Sequence, residues 1–258
     1  MLNQYLEDTA SLLRDANFLF NSEQQLIRYI NKARDQVAIQ TDCIRALVYG
    51  TAPFGTTAVP GGAMPGAMYP GTPDTQQFVT LQGVEKYSYG YALPFLKQTT
   101  QGVRGILDIT DVAVSWGGIR PVLNWMPWED LQAYARSYNF LVTSYPFVWS
   151  SFGSGSKGQF WLFPIPTITT GGLFPGGQGE LEIDCSCLPN PLYTDNDYEA
   201  LPEPFTEAVK FYAAGLAFLG SQRYAMAAVM REEFNEQLGI DNAAVMRGRT
   251  SAFYYSDR

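Results

Sequence analysis

The sequence predicts an α+β fold: a helical bundle assembled from the N- and C-terminal segments, a β-rich antiparallel insertion between them, and an extended C-terminal tail. Three observations predict it. Apolar residues recur at helical spacing near both ends of the chain. The long middle is β-branched and alternating, punctuated by Gly and Pro. A glycine, Gly239, then follows the last helical pattern. The expected organisation is a discontinuous bundle of 1–49 and 201–239, a Gly/Pro-rich loop over 50–76, a β-rich insertion with one short helix over 77–200, and a tail over 240–258.

Residues 2–15 carry Tyr5, Leu6, Leu12 and Leu13, the pattern of a short amphipathic helix. A stronger helix starts at Ser22, which forms a capping-box pair with Gln25. Leu26, Ile27, Ile30, Ala33, Val37 and Ala38 recur at three and four, Arg28, Lys32, Arg34 and Asp35 fall elsewhere on the wheel, and the pattern ends near Cys43. Residues 50–75 then hold no charge until Asp74. Their density of Gly and Pro argues against both helix and ladder, and the length and apolar side chains suggest a segment that docks on something.

Strands are expected over 78–81 and 106–116. Residues 127–138 interrupt them as a helix, with Pro127 at its first position, Glu129 and Asp130 at the positive end of the dipole, and Leu131, Tyr134, Ala135 and Tyr138 on one face. Strands return over 145–152 and 159–163, split by the loop 153–156. Residues 180–188 alternate, with Leu181, Ile183, Cys185 and Cys187 on one side and Glu180, Glu182, Asp184 and Ser186 on the other, as in a strand with one wet face. After Pro202 and Pro204 a helix carries Phe205, Ala208, Val209, Tyr212, Ala213, Leu216 and Leu219, and Gly220 ends it. A second helix runs over 221–238, where Ala225, Ala227 and Ala228 allow close approach and Gly239 is the terminator.

The composition narrows the function classes. The chain has no histidine, the commonest general base and metal ligand, so surfaces rather than catalysis become the expectation. Charged residues are 16% and aromatics 14% of the 258 residues, a balance that points to an assembled protein, with a well-packed core as the alternative. The net charge of −8 argues against partners that read DNA or RNA through a basic stripe. Three cysteines make no disulfide framework and fit a reducing compartment. No basic-then-apolar leader and no run of 18 apolar residues is present, so neither a secretory signal nor a membrane span is expected.

Each constellation that resembles a chemical site has a plainer reading. Cys185 and Cys187 share a strand face with apolar neighbours but have too few further ligands for zinc; buried structural thiols are expected. The run Tyr193, Thr194, Asp195, Asn196, Asp197, Tyr198, Glu199 resembles a calcium loop without its glycine, and reads as a polar turn before a helix. Glu180, Glu182 and Asp184 read as a solvated strand face rather than a glycosidase pair, which needs carboxyls opposed across a cleft. Trp149, Phe160 and Trp161 are candidates for a sugar-stacking platform, or for core. No nucleophile elbow, phosphate loop or dinucleotide fingerprint appears. The expectation is no catalytic residue, no cofactor and no metal.

The order of segments in the C-terminal half is more specific. The run Trp-Leu-Phe-Pro-Ile-Pro at 161–166 precedes an alternating strand ending Cys-Leu-Pro at 187–189. Then come Leu192, Tyr193, Thr194 and Asp195, followed by Tyr198, Glu199, Ala200, Leu201 and Pro202. Next are Glu207, Ala208, Val209, Lys210, Phe211, Tyr212, Ala213 and Ala214, and last a helix opening at Ala225 and carrying Phe234 and Leu238. Near the N-terminus stand Tyr29, Ile30, Asn31, Lys32 and Ala33. This pattern resembles the head-to-tail connector, or adaptor, proteins of tailed bacteriophages, in which a proline-flanked strand precedes a Leu-Pro…Asp…Leu-Pro…Glu-Ala-Val run and the N-terminal helix carries a Tyr-Ile-Asn signature. Residues 50–75 have no counterpart in it.

The resemblance implies a non-enzymatic virion structural protein at the head–tail junction, made in the bacterial host cytoplasm. It implies a ring of identical subunits, often twelvefold, between the portal protein and a downstream tail protein, with no membrane contact. Genomic DNA would pass through the lumen without sequence-specific binding, and an acidic lumen would let the phosphate backbone slide. The tail combines Arg247 and Arg249 with Phe253, Tyr254 and Tyr255, residue types enriched at binding hot spots, and the resemblance makes the portal their partner. The rival from a different class is a carbohydrate-binding or glycan-hydrolysing β-rich virion protein.

Overall fold

The computed structural model describes residues 1–15, 21–53, 75–81, 83–115, 120–137, 145–166 and 179–245. In chain order these form α1 (Leu2–Leu13), α2 (Glu23–Thr41), β1 (Arg45–Val48), β2 (Thr51–Pro53), β3 (Thr75–Gln77), β4 (Lys86–Ser88), α3 (Tyr89–Thr99), β5 (Val103–Ser115), β6 (Asn124–Trp125), α4 (Trp128–Ser137), β7 (Val148–Phe152), β8 (Gln159–Phe163), β9 (Glu180–Pro189), α5 (Glu203–Gly220) and α6 (Tyr224–Val245). The fold is α+β, with helices at both ends of the chain and strands in the middle. The described residues divide into two compact units: a helical one of 1–15, 21–44, 101–104 and 187–245, and a β-rich one of 45–53, 75–81, 83–100, 105–115, 120–137, 145–166 and 179–186.

In the helical unit α5 is the central element, and α1, α2 and α6 each pack on it. The apolar spacing read from sequence selects the buried stripe of α2, where Leu26, Ile30, Ala33 and Val37 are fully enclosed. Leu26, Ile30 and Val37 each contribute about 1.5–3 kcal/mol on burial. Ser22 caps α2 by accepting from the Gln25 amide at 3.3 Å, while the Gln25 side chain donates to Tyr29 at 2.8 Å. On α5 the buried band is wider than expected and includes Ala214, Gly215, Ala217 and Phe218, whereas Leu219 is exposed. A Cβ on Gly215 would meet Met230 Cβ at 3.6 Å and the Ala227 carbonyl at 3.7 Å, so α5 and α6 approach there through glycine and alanine. Ala227 is buried, as the close-approach reading requires, but Ala225 and Ala228 are exposed. Gly239 does not end α6, which continues to Val245. Interior glycine costs only about 1 kcal/mol relative to alanine, so a helix docked on its neighbour can carry it. The extended tail expected from Ile240 is therefore helical at its start, and 246–258 lie outside the described residues.

The β-rich unit holds a sheet in the order β1-β9-β5 and a four-stranded sheet in the order β4-β8-β7-β6. β9 runs antiparallel to β1, with Arg45 opposite Ser186 and Val48 opposite Ile183. β8 is antiparallel to both β4 and β7, and the two-residue β6 is parallel to β7 against the antiparallel expectation. Tyr87, Trp149, Phe160 and Leu162 project from one face of the four-stranded sheet and are fully buried. Tyr87 stacks on Phe160 at 5.0 Å and approaches Tyr91 of α3 at 5.8 Å, and Phe78 meets Phe95 of α3 at 4.8 Å. α3 is not among the helices expected from the sequence, and Pro94 in its interior removes a hydrogen bond and disfavours helix. Burial of Tyr91, Ala92, Phe95 and Leu96 on one side outweighs that loss. The strand expected over 78–81 reduces to a bridge between Val79 and Glu180. At the edges of the Gly/Pro-rich loop, β2 and β3 pair antiparallel, so a short ladder stands where none was expected; 54–74 lie outside the described residues.

Candidate functional site

The most connected polar cluster lies in the helical unit and joins two of the motif segments. Asn31, from the Tyr29–Ala33 signature, donates to the Leu192 carbonyl at 2.9 Å and accepts from the Leu192 amide at 2.8 Å. One side chain thus satisfies both backbone groups of a residue outside any ladder. Three residues along α2, Arg34 donates to both Glu199 carboxylate oxygens at 2.7–3.2 Å and to the Asn190 carbonyl at 2.7 Å. Glu199 accepts in turn from the Leu201 amide at 3.0 Å. The planar guanidinium fork matches the carboxylate geometry, which makes the pair strong where water is excluded. Arg34, expected away from the apolar stripe, is only 1% exposed. Nearby, burial pushes the Tyr5 hydroxyl well above its ordinary pKa, and the Glu199 charge adds to the effect.

This cluster also settles the segment that resembles a calcium loop. Asp197 accepts from the Tyr193 amide at 2.6 Å and the Thr194 amide at 2.7 Å, and those two bonds hold its carboxyl below the usual range. Asp195 accepts from the Asn3 amide at 3.2 Å, and Glu199 belongs to Arg34. The carboxylates fix a polar turn ahead of α5. Among the described residues no group of acidic, cysteine or histidine side chains could hold a metal ion.

In the β-rich unit Cys185 is fully buried and donates to the Ala46 carbonyl at 3.4 Å, while in the helical unit Cys187 is 1% exposed. Both are packed thiols. The opposite face of β9 is only partly wet. Ser186 is buried and donates to the Asp108 carbonyl at 3.4 Å, Glu182 pairs with Arg120, and Asp184 pairs with Arg45. Burial, with Asp184 beside it, pushes the Asp111 carboxyl up. A cavity of about 190 Å³ lies against Tyr49, Phe78, Arg120, Glu180 and Glu182. It is smaller than the roughly 300–1,000 Å³ of ordinary ligand pockets.

The three aromatics considered as a sugar platform do not share a face. Trp149 and Phe160 are fully buried beneath the four-stranded sheet. Trp161 projects from the other side, with Trp128 of α4 at 4.5 Å and Lys86 at 5.5 Å from its ring. Large apolar side chains that are exposed in and beside the outer strands of this sheet are Val122, Trp125, Phe147 and Phe152. Asn124 and Met126 donate to the Phe147 and Trp149 carbonyls, which puts Trp125 on the outermost strand. Pro121 and Pro127 bracket that strand and limit its extension by further pairing. Exposed aromatics at a sheet rim mark contact surfaces. The alternation alone did not distinguish this rim from core.

Arg247, Arg249, Phe253, Tyr254 and Tyr255 lie outside the described residues. Among the described residues no helix is long and apolar enough to cross a membrane. No curated protein matches the chain. Residues 3–253 match the family described as the SU10 adaptor protein. The match spans the helical unit, the β-rich unit and the motif segments that Asn31 and Arg34 tie together, and the chain belongs to the SU10 adaptor protein family, in agreement with its resemblance to phage head–tail adaptors.

Proposed function

We propose that the protein forms a ring of identical subunits at the head–tail junction, between the portal protein and a downstream tail protein, around the channel through which genomic DNA passes. The family match over residues 3–253 carries this reading, since adaptor membership implies a structural virion protein that meets other head and tail proteins. The exposed Val122, Trp125, Phe147 and Phe152 of the sheet's outer strands and their flanks support it, because exposed large apolar side chains suit an assembled protein. By the resemblance the ring is twelvefold. The net charge of −8 suits a lumen that repels phosphate, so DNA slides without base-specific contact. The work is positional, and neither a catalytic step nor a metal enters the reading.

The portal anchor in this reading is the segment 246–258, with Arg247, Arg249, Phe253, Tyr254 and Tyr255 as contacts. Because α6 reaches Val245, the informative truncation removes everything after Val245 and leaves the helix intact. The shortened chain should remain folded and lose attachment to portal-bearing heads. Unchanged attachment would place the anchor elsewhere. Imaging of the virion, or of a complex with the portal, tests the ring: isolated, unringed copies there would overturn it. Turnover of a glycan that disappears on changing Glu180, Glu182 or Asp184 would favour the glycan-hydrolysing alternative.

A further inference from the structure

Two exposed helix faces in the helical unit have matching patterns that no described residue pairs. On α2 the outer row is Arg28, Lys32, Asp35 and Ile39, spaced by four, three and four residues, so the side chains line one face. Asp35 is held by Arg104 at 2.7 Å, which leaves Arg28 and Lys32 as the unpaired charges and Ile39, 48% exposed, as the apolar end. On α6 the outer row is Met226, Val229, Glu233 and Glu236, spaced by three, four and three. Met226 is 46% and Val229 44% exposed, and both glutamates are exposed. Among the described residues, Arg28, Lys32, Glu233 and Glu236 form no ion pair with one another or with other groups.

The rows are complementary when run in opposite directions. From Arg28 to Ile39 is roughly 16 Å along the helix, and from Glu236 to Met226 roughly 15 Å, at 1.5 Å per residue. An antiparallel pairing therefore sets Arg28 and Lys32 against Glu236 and Glu233 and Ile39 against Met226, with Val229 level with Asp35, whose charge Arg104 holds. A parallel pairing would set the two bases against the apolar end. We infer that α2 of one copy of this chain packs antiparallel on the outer face of α6 of the next copy. The contact joins two different surfaces, so it is heterologous and repeats from copy to copy. It rests on the ring reading above and names the surface through which neighbouring subunits would touch.

Charge reversal on the full-length chain tests the pairing. Sedimentation over a concentration range in low salt should show association of the wild type that weakens in high salt, as the charged half of the contact is screened. R28E/K32E gives two acidic faces and E233K/E236K gives two basic faces. Each variant alone should associate about tenfold or more weakly, the scale of close charge pairs at interfaces. An equimolar mixture should recover association as alternating copies. A wild type that stays monomeric, variants that associate normally, or a mixture that does not recover would overturn the pairing. A second measurement leaves the charges alone: Ile39→Cys with Met226→Cys, in a Cys43→Ser background, should oxidise to linked chains, and monomer only would overturn it. Recovery in the mixture without rings in the virion would keep this contact and remove the ring. Virion rings indifferent to both charge changes would keep the ring and remove the contact.

Discussion

In the helical unit the largest buried polar side chain is Arg34, whose guanidinium meets Glu199 and the Asn190 carbonyl at 2.7–3.2 Å. In the β-rich unit the large buried polar side chains at the aromatic core are tyrosines: Tyr87 accepts from the Leu81 amide at 2.9 Å and Tyr91 donates to the Val79 carbonyl at 3.0 Å. The helical unit thus ties an irregular segment to a helix with a buried ion pair, whereas residues 78–84 are tied to the aromatic core of the β-rich unit by neutral hydroxyls. The difference follows from the backbone to be held. Residues 190–201 run outside any helix or strand and need side-chain partners for their amides and carbonyls. Loops beside a sheet can use hydroxyls of rings already buried for their apolar area.

The largest expected effect breaks the aromatic side of the comparison. Trp149→Ala should destabilise the β-rich unit by about 4 kcal/mol, since a large buried ring leaves a cavity that the sheet cannot close. Calorimetry would show the lowered transition, and a loss under 1 kcal/mol would mean that the core is not rigidly packed. Removing one partner on the charged side comes next. Glu199→Leu should cost about 3 kcal/mol by leaving Arg34 buried without its counter-charge. The double variant Arg34→Met/Glu199→Leu should recover much of that loss, because desolvation of both charges is relieved together. A double variant no more stable than Glu199→Leu would show that the Asn190 and Leu201 bonds carry the segment.

Thiol chemistry sharpens the comparison at a smaller scale. Burial pushes the Cys43 thiol of the helical unit up to about 11, so alkylation at pH 8 should be slow and should quicken as the pH approaches 11. The folded pKa is the raised one, so this stabilisation is complete below the unfolded value of about 9 and is lost as pH rises towards 11. Cys185, fully buried on β9, should stay unmodified until the β-rich unit opens. Mass spectrometry of labelled peptides separates the two sites, and equal labelling at pH 8 would contradict it. The smallest effect is local: Ser22→Ala removes the cap at the start of α2 and should cost about 1 kcal/mol, read as a shift in the denaturation midpoint.

Much was legible in the residues themselves. The spacing of Leu26, Ile30, Ala33 and Val37 determined the buried stripe of α2, because helical periodicity and burial are the same fact seen twice. The alternation of Leu181, Ile183 and Cys185 likewise determined the inward face of β9, and the order of motif segments pointed to the adaptor family. Tertiary structure decided the rest. Arg34 sits beside the apolar stripe of its helix, and only the fold brings Glu199 to it across 165 positions. Pro94 argues against helix locally, yet α3 forms because Tyr91, Phe95 and Leu96 find an aromatic sheet to cover. Gly239 has the chemistry of a terminator, yet α6 passes through it. Whether Trp149 was core and Trp125 rim depended on which strand stood at the edge of the sheet. Local propensities are worth about a kilocalorie per residue or less and set the elements. Packing partners far apart in sequence are worth several, and so they decide which charges are buried and which faces stay open.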